Sequence, residues 1–247
     1  MELRSSTGRI LFVILQLMMY VAFLYLDLTD GSSAISSYIK FMVIIVCFCY
    51  ALFARKSADK SILFLMKAAL FFTLISDLLI LILDVYFYGV LTFIIVQQIY
   101  GVRISLEKSY IQHKYNSKRV WVNLIQRILL QLAISSTVLA ILAFCNMELE
   151  PLLIASVFYF TSIVMNTFMA VKTSLDYPGY KRMRTFALGM LLFLLCDINV
   201  GLFNISGFIN IPADTYSFIK GFSSILMWTF YAPSQVILSL SARISMK

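Results

Sequence analysis

Two aspartates, Asp77 and Asp197, stand inside long apolar runs (FFTLISDLLI and LLFLLCDINV) of a chain that is 61% hydrophobic. A carboxyl group there has little water around it, and the chemistry open to it is the handling of protons. An ionised side chain at the middle of a bilayer costs ~2.5–3.5 kcal/mol even on the insertion-based scale, so an acid in that position faces a cavity or a partner and marks function by default. The competing reading is structural, with each acid hydrogen-bonded to a neighbouring helix and locking the bundle. Two acids in such similar settings weight the functional reading.

The elements that must position these carboxyls are membrane helices. Charged residues make up only 13% of the chain, and its apolar runs repeatedly reach the ~20 residues needed to cross ~30 Å of hydrocarbon. The expected fold class is an all-α polytopic membrane protein, a bundle of eight transmembrane helices in which the 247 residues form one integral membrane domain. Spans are expected at 10–26, 35–54, 61–83, 85–102, 120–144, 152–171, 185–207 and 216–240. The third and fourth share only a tight turn around Asp84.

Charge placement supports the same topology. Taken alternately, the connections on one side hold every Lys and Arg except Lys40, Lys67, Arg127 and Lys220; they comprise the N-terminus, Arg55, Lys56, Lys60, residues 103–119, residues 172–184, and the tail with Arg243 and Lys247. The opposite connections carry Asp27, Asp30, Asp84, Glu148, Glu150 and Asp214. The positive-inside rule then places both termini in the cytoplasm and requires an even number of spans. The net charge of +8 is thus a topology signal with a secondary attraction for anionic lipids, and it forms no nucleic-acid patch because the basic residues interleave with spans. Residues 1–9 and Ser32-Ser33-Ala34 resemble parts of a secretory signal. Retention of the first span is expected, since cleavage would leave an odd count.

Several enzyme classes drop out. Cys47, Cys49, Cys145 and Cys196 show no zinc or redox spacing and read as packing residues, while the single histidine, His113, lies in the basic loop IQHKYNSKR. Histidine-dependent zinc hydrolases, HExxH proteases and Ser-His-Asp hydrolases are excluded on that ground, and no nucleotide-binding glycine loop occurs. No metal or cofactor is expected. Of the basic residues within spans, Lys40 and Lys220 lie close enough to the acidic end to snorkel, and Lys67 and Arg127 to the opposite end. Lys40 stands out because it shares the depth of Asp77, roughly seven residues or ~10 Å below Asp84.

Helical spacing places Asp77, Leu81 and Asp84 on one face of the third span, and Asp197, Gly201 and Asn204 on one face of the seventh. The small residues Ala69 and Gly189, eight positions before each acid, with Ser76 and Cys196 beside them, allow close approach of a neighbouring helix or ligand. Both acids occupy the third helix of a four-helix half, which points to a four-plus-four parallel repeat. In the eighth span, Pro233 frees the carbonyl of Thr229 and predicts a bend, with Tyr231 and Gln235 on a common face. That cluster fits either a pocket lining or a packing kink.

The combined pattern resembles the YhhN-type lysoplasmalogenases. It comprises Lys40, Ser76-Asp77, then Phe87, Gly89, Leu91, Phe93 and Tyr100, then Gly189, Phe193 and Asp197, and finally Tyr231, Ala232 and Gln235. Phe41 stands where that family usually has proline, Ser76 where glycine is common, and Gln98 where histidine is usual. The resemblance implies an eight-helix hydrolase of a bacterial cytoplasmic membrane that cleaves the vinyl ether bond of lysoplasmalogen, releasing a fatty aldehyde and glycerophosphoethanolamine or glycerophosphocholine. Its partners would be a lysophospholipid substrate and membrane lipids.

An enol ether hydrolyses by protonation of its β-carbon, water addition to the oxocarbenium ion and collapse of the hemiacetal, which needs an acid, an oriented water and anionic stabilisation. Asp77 and Asp197 are expected to divide these roles, one carrying the proton and the other, nearer Lys40, staying ionised. Support is expected from Lys40, Gln98, Tyr100, Tyr231 and Gln235, with Lys40 alternatively meeting the lipid phosphate. Other classes remain open: a proton-coupled transporter using the acids as a relay, or an inactive membrane protein of the same fold. A retinal-type receptor fits poorly because Lys220 lies too near a helix end.

Overall fold

The computed structural model describes residues 2–29, 31–54, 60–112, 117–207 and 212–244. Among the charged positions that set the expected topology, Asp30, Arg55, Lys56, Lys114 and Lys247 lie outside the described residues, as does His113. The described residues form helices without strands: α1 (Glu2–Leu28), α2 (Ser33–Leu52), α3 (Lys60–Asp77), α4 (Tyr86–Ile111), α5 (Ser117–Phe144), α6 (Pro151–Asp176), α7 (Lys181–Phe203) and α8 (Ala213–Ser241). A π-helical turn, Leu78–Ile82, continues α3, and a short 3-10 turn, Ile205–Gly207, follows α7. The first seven are long and apolar enough to cross a membrane; α8 is as long, but carries Asp214, Lys220, Gln235 and a series of hydroxyl residues.

Local chemistry explains the boundaries. The Ser32 side chain caps α2 by accepting from the Ile35 amide at 3.4 Å, and Pro151 opens α6 at a position where no amide donor is needed. Asp84 and Asn146 adopt left-handed backbone conformations, φ 56° and 59°. Short side chains that bond locally tolerate that region best, so the chain reverses at Asp84 just before α4 and at Asn146 just after α5.

Six helices close a ring, with neighbours in the order α2, α3, α4, α6, α7, α8 and back to α2. Outside it, α1 packs on α2 and α8, and α5 packs on α6 and α4. These main pairings match between halves: exchanging α1–α4 for α5–α8 maps each onto another. The four-plus-four organisation is therefore present in the packing. Gly189 lets α7 and α8 close up, since a Cβ there would lie 2.8 Å from Leu238 Cγ. Inside the ring sits a core in which Val43, Met66, Leu70, Val96, Ile163 and Met190 are buried, and Asp77 is buried as well.

Three expectations change. The fourth helix runs to Ile111 and the seventh begins at Lys181, so both extend beyond the expected spans. The face shared by Asp77, Leu81 and Asp84 does not form, because the π-helical turn inserts an extra residue into the ladder just after Asp77 and Asp84 is left exposed. Asn204 likewise caps α7, bonding the Val200 carbonyl at 2.8 Å, and is exposed rather than stacked above Asp197.

Candidate functional site

The acids are held by tyrosines. Tyr231 of α8 donates its hydroxyl to Asp77 Oδ2 at 2.6 Å, and Tyr159 of α6 donates to Asp197 Oδ2 at 2.6 Å. Both distances are at the short end of the O–H···O range. Asp77 is buried and Asp197 half-buried. The two pairs belong to one aromatic cluster, in which the packed rings of Phe193 and Phe93 join Tyr231 to Tyr159.

Aromatic rings tie the cluster together. Phe193 packs edge-on against Tyr231 at 5.5 Å and against Phe93 at 5.8 Å, and Phe93 lies 5.7 Å from Tyr159. Contacts of this kind contribute ~0.5–1.5 kcal/mol each beyond burial and fix ring orientation. The hydroxyls are thus aimed by packing as well as by their acceptors. Beneath Asp77, Ser76 Oγ donates to the Gly89 carbonyl at 2.6 Å, pinning the start of α4 to the helix that bears the acid.

The remaining expected site residues are distributed differently. Lys40 does not pair with either core acid: its Nζ lies 2.8 Å from Asp27 Oδ2, over the rings of Trp228 and Phe23. The reason is proximity across the short α1–α2 connection, which brings Asp27 beside the first turns of α2. Gln98 is also elsewhere, accepting from Arg127 Nη2 at 2.5 Å and donating to Gln131 Oε1 at 3.3 Å in a seam between α4 and α5. Tyr100 is fully buried against Phe186 and faces Thr73, one helical turn before Asp77, with Cys47 nearby. Gln235 is fully buried and donates to Ser234 Oγ at 3.4 Å, while its Oε1 has no hydrogen-bond partner among the described residues.

Sequence reasoning did not find Tyr159, Phe93 as a linker, Trp228, or the acid that Lys40 pairs with. It also misplaced three arginines. Arg127 does not snorkel; its Nη1 donates to Asn166 at 2.8 Å inside the bundle. Arg103 and Arg182, expected in basic connections, are fully buried around Glu107, at 3.5 and 2.8 Å. The helical overhang of α4 and the early start of α7 create that buried site. The freed Thr229 carbonyl at Pro233 accepts from Tyr20 Oη at 3.4 Å, while α8 continues through the proline.

Chemically, the arrangement offers two oriented carboxyls with phenol donors in a low-dielectric, aromatic surrounding. Among the described residues no three His, Cys, Asp or Glu side chains converge to hold a metal. A groove of about 380 Å³ lies elsewhere, between α3 and α4, where Lys60, Ser61, Phe64, Leu65, Val102 and Leu106 line it. Neither a protein-family model, nor a curated protein, nor a solved structure matches the chain.

Proposed function

We propose that this chain is a multi-pass membrane hydrolase that cleaves the vinyl ether bond of a lysophospholipid, with Asp77 and Asp197 as its acid and base. The observation that carries the reading is the pair of Asp–Tyr hydrogen bonds at 2.6 Å within one aromatic cluster. A structural lock needs one such bond; two carboxyls held by phenols of one packed aromatic cluster suit a reaction that moves two protons. We further take all eight helices to cross the bilayer, with both termini cytoplasmic, on the strength of the charge distribution.

Asp77, the more deeply buried carboxyl, delivers its proton to the β-carbon of the enol ether, leaving an oxocarbenium ion. Asp197, open on one side, accepts a proton from the water that adds to that cation. The hemiacetal then collapses to the aldehyde and the free glycerol hydroxyl, and one water is consumed overall. Preorganised dipoles and fixed carboxylates stabilise the cationic transition state without reorganisation. The alkenyl chain lies among the apolar helices.

The test is incubation of purified protein with lysoplasmenylethanolamine and its ester and alkyl ether analogues, with aldehyde release measured. Only the vinyl ether should react, and in D2O the aldehyde should carry one deuterium on the carbon next to its carbonyl. Asp77→Asn and Asp197→Asn should each lower turnover by about 10²–10⁴-fold, the usual range for losing a general acid or base. Unaltered turnover in both variants removes the mechanism. Turnover of the ester alone moves the reaction to another class, and proton-driven uptake without aldehyde favours transport.

A further inference from the structure

We propose that Asp27 and Lys40, enclosed by Phe23 and Trp228, form a binding site for a zwitterionic phospholipid headgroup, with the phosphate on Lys40 and the ammonium on Asp27 and the aromatic faces. The lysophospholipid reading above supplies the identity of the chain that trails from this headgroup; the headgroup site itself stands on separate geometry. Lys40 Nζ and Asp27 Oδ2 are 2.8 Å apart, with side chains 11% and 19% exposed. The pair is therefore reachable, yet held. Ser36 Oγ donates to Asp27 Oδ1 at 2.5 Å, which fixes the carboxylate from its other side.

The ammonium of Lys40 occupies an aromatic corner, 4.8 Å from the Trp228 centroid and 5.7 Å from that of Phe23. The two rings meet edge-on at 6.0 Å. Aromatic faces of this kind hold ammonium groups, primary or quaternary, through the ring quadrupole. An ion pair set in such a corner is complementary to phosphoethanolamine or phosphocholine. The incoming phosphate takes the lysine, the incoming ammonium takes the aspartate, and no net charge is added to a poorly hydrated region.

A phosphoglycerol headgroup brings only the anion and leaves Asp27 facing a second negative charge, so the site discriminates by repulsion as well as attraction. Its position fits the candidate acid. Trp228 packs edge-on against Tyr231 at 5.3 Å, and Tyr231 bonds Asp77. In a lysoplasmalogen the ether oxygen is three carbons and one oxygen from phosphorus. A headgroup beside Trp228 thus keeps the ether bond near Tyr231 and Asp77.

The chain has two tryptophans, and Trp121 is 65% exposed on α5. Trp121→Phe therefore leaves Trp228 as the sole tryptophan reporter. This variant, in a non-ionic detergent, is titrated with lysophosphatidylethanolamine, lysophosphatidylcholine and lysophosphatidylglycerol, all ester lipids without a vinyl ether. Saturable changes in Trp228 emission are expected with both zwitterions, and binding at least ~10-fold weaker with the phosphoglycerol lipid. Soluble glycerophosphoethanolamine should compete, separating headgroup binding from chain insertion. Adding Asp27→Asn should weaken zwitterion binding by about 10-fold.

Equal responses to zwitterionic and anionic lipids overturn the proposal, and that comparison needs no change at the ion pair. An unchanged titration in a folded Asp27→Asn variant also overturns it. Selective binding by a protein that releases no aldehyde leaves the headgroup site standing while the hydrolase reading falls. Aldehyde release without headgroup selectivity overturns the site and spares the hydrolase.

Discussion

The Tyr231 hydroxyl donates to Asp77 Oδ2 at 2.6 Å across a sequence separation of 154 residues, tying α8 to the end of α3. Tyr159 performs the same task for Asp197 from α6. In the halved packing scheme α8 corresponds to α4 and α6 to α2, so the tyrosines come from non-equivalent helices. The helix pairings repeat between the halves, while the two carboxyls are held in different ways. Such an inequality is what two acids need if they take different roles in one reaction.

Removing either phenol hydroxyl tests that division. Tyr231→Phe and Tyr159→Phe keep the rings packed on Phe193 and Phe93 and delete only the donor. A hydrogen bond contributes ~0.5–1.5 kcal/mol when its acceptor is neutral, as for the protonated Asp77, and ~1.5–3 kcal/mol when it is charged, as for Asp197, so turnover of lysoplasmenylethanolamine should fall by about 3- to 10-fold in Tyr231→Phe and by about 10- to 100-fold in Tyr159→Phe. KM should change little, because each hydroxyl meets an acid. Tyr231→Phe combined with Asp77→Asn should cost much less than the sum of the single losses, since both variants break one interaction. Full additivity in that cycle would separate Tyr231 from the function of Asp77.

The acids were legible in the sequence because a carboxyl within an apolar run stands out against a uniform background. Their partners were not. Tyr159 lies between Phe158 and Phe160, and a helix apolar all round carries no periodicity that says which way each ring points. Lys40 was legible as an unusual residue, but its partner Asp27 belongs to the acidic connections whose charges already had an explanation in topology. The π-helical turn leaves no compositional trace, so 3.6-residue spacing carried past Asp77 gave the wrong face. Arg103 and Arg182 followed the basic pattern of their connections, and only the overhanging helices turn them toward Glu107.

The close approach at Gly89 makes the π-helical turn testable. A Cβ at this position would lie 2.4 Å from Ile80 Cγ1, inside the turn that follows Asp77. Gly89→Ala must therefore displace Ile80 or the start of α4, and overpacking of this sort costs ~1–3 kcal/mol. Because Ser76 Oγ is anchored to the Gly89 carbonyl, the displacement is transmitted to the neighbour of Asp77. Activity should fall along with thermal stability in detergent, and Ile80→Ala in the same chain should recover both. Failure of that second change to rescue would place the effect outside this contact.

Glu107 holds together a buried charge cluster separate from Asp77 and Asp197. Its carboxylate serves two fully buried guanidiniums, Arg182 Nε at 2.8 Å and Arg103 Nη2 at 3.5 Å, and Arg103 also stacks on Phe186 at 3.7 Å. Glu107→Gln leaves two buried positive charges facing each other. Breaking a buried ion pair from one side typically costs ~3–5 kcal/mol, which should appear as a large fall in unfolding temperature. Neutralising Lys108, the next residue, should leave that temperature nearly unchanged. Equal behaviour of the two variants would mean that the cluster is solvated in the membrane-embedded protein.

Arg127 attaches α5 to the ring through its bonds to Asn166 of α6 and Gln98 of α4. Gly101 leaves the space that the guanidinium fills, since a Cβ there would collide with Arg127 Nη1. Gly101→Ala should expel the guanidinium from the seam and break its bonds to Asn166 and Gln98, at a cost of ~1–3 kcal/mol for the polar atoms left buried. The loss should show as faster hydrogen exchange along α5 as well as a lower unfolding temperature. Arg127→Met removes the same bonds but also the obstacle, so adding Gly101→Ala to it should cost little more. A double variant weaker than both single variants by their full sum would show that Gly101 serves the α4 backbone, whereas coupling assigns it to the arginine that holds α5.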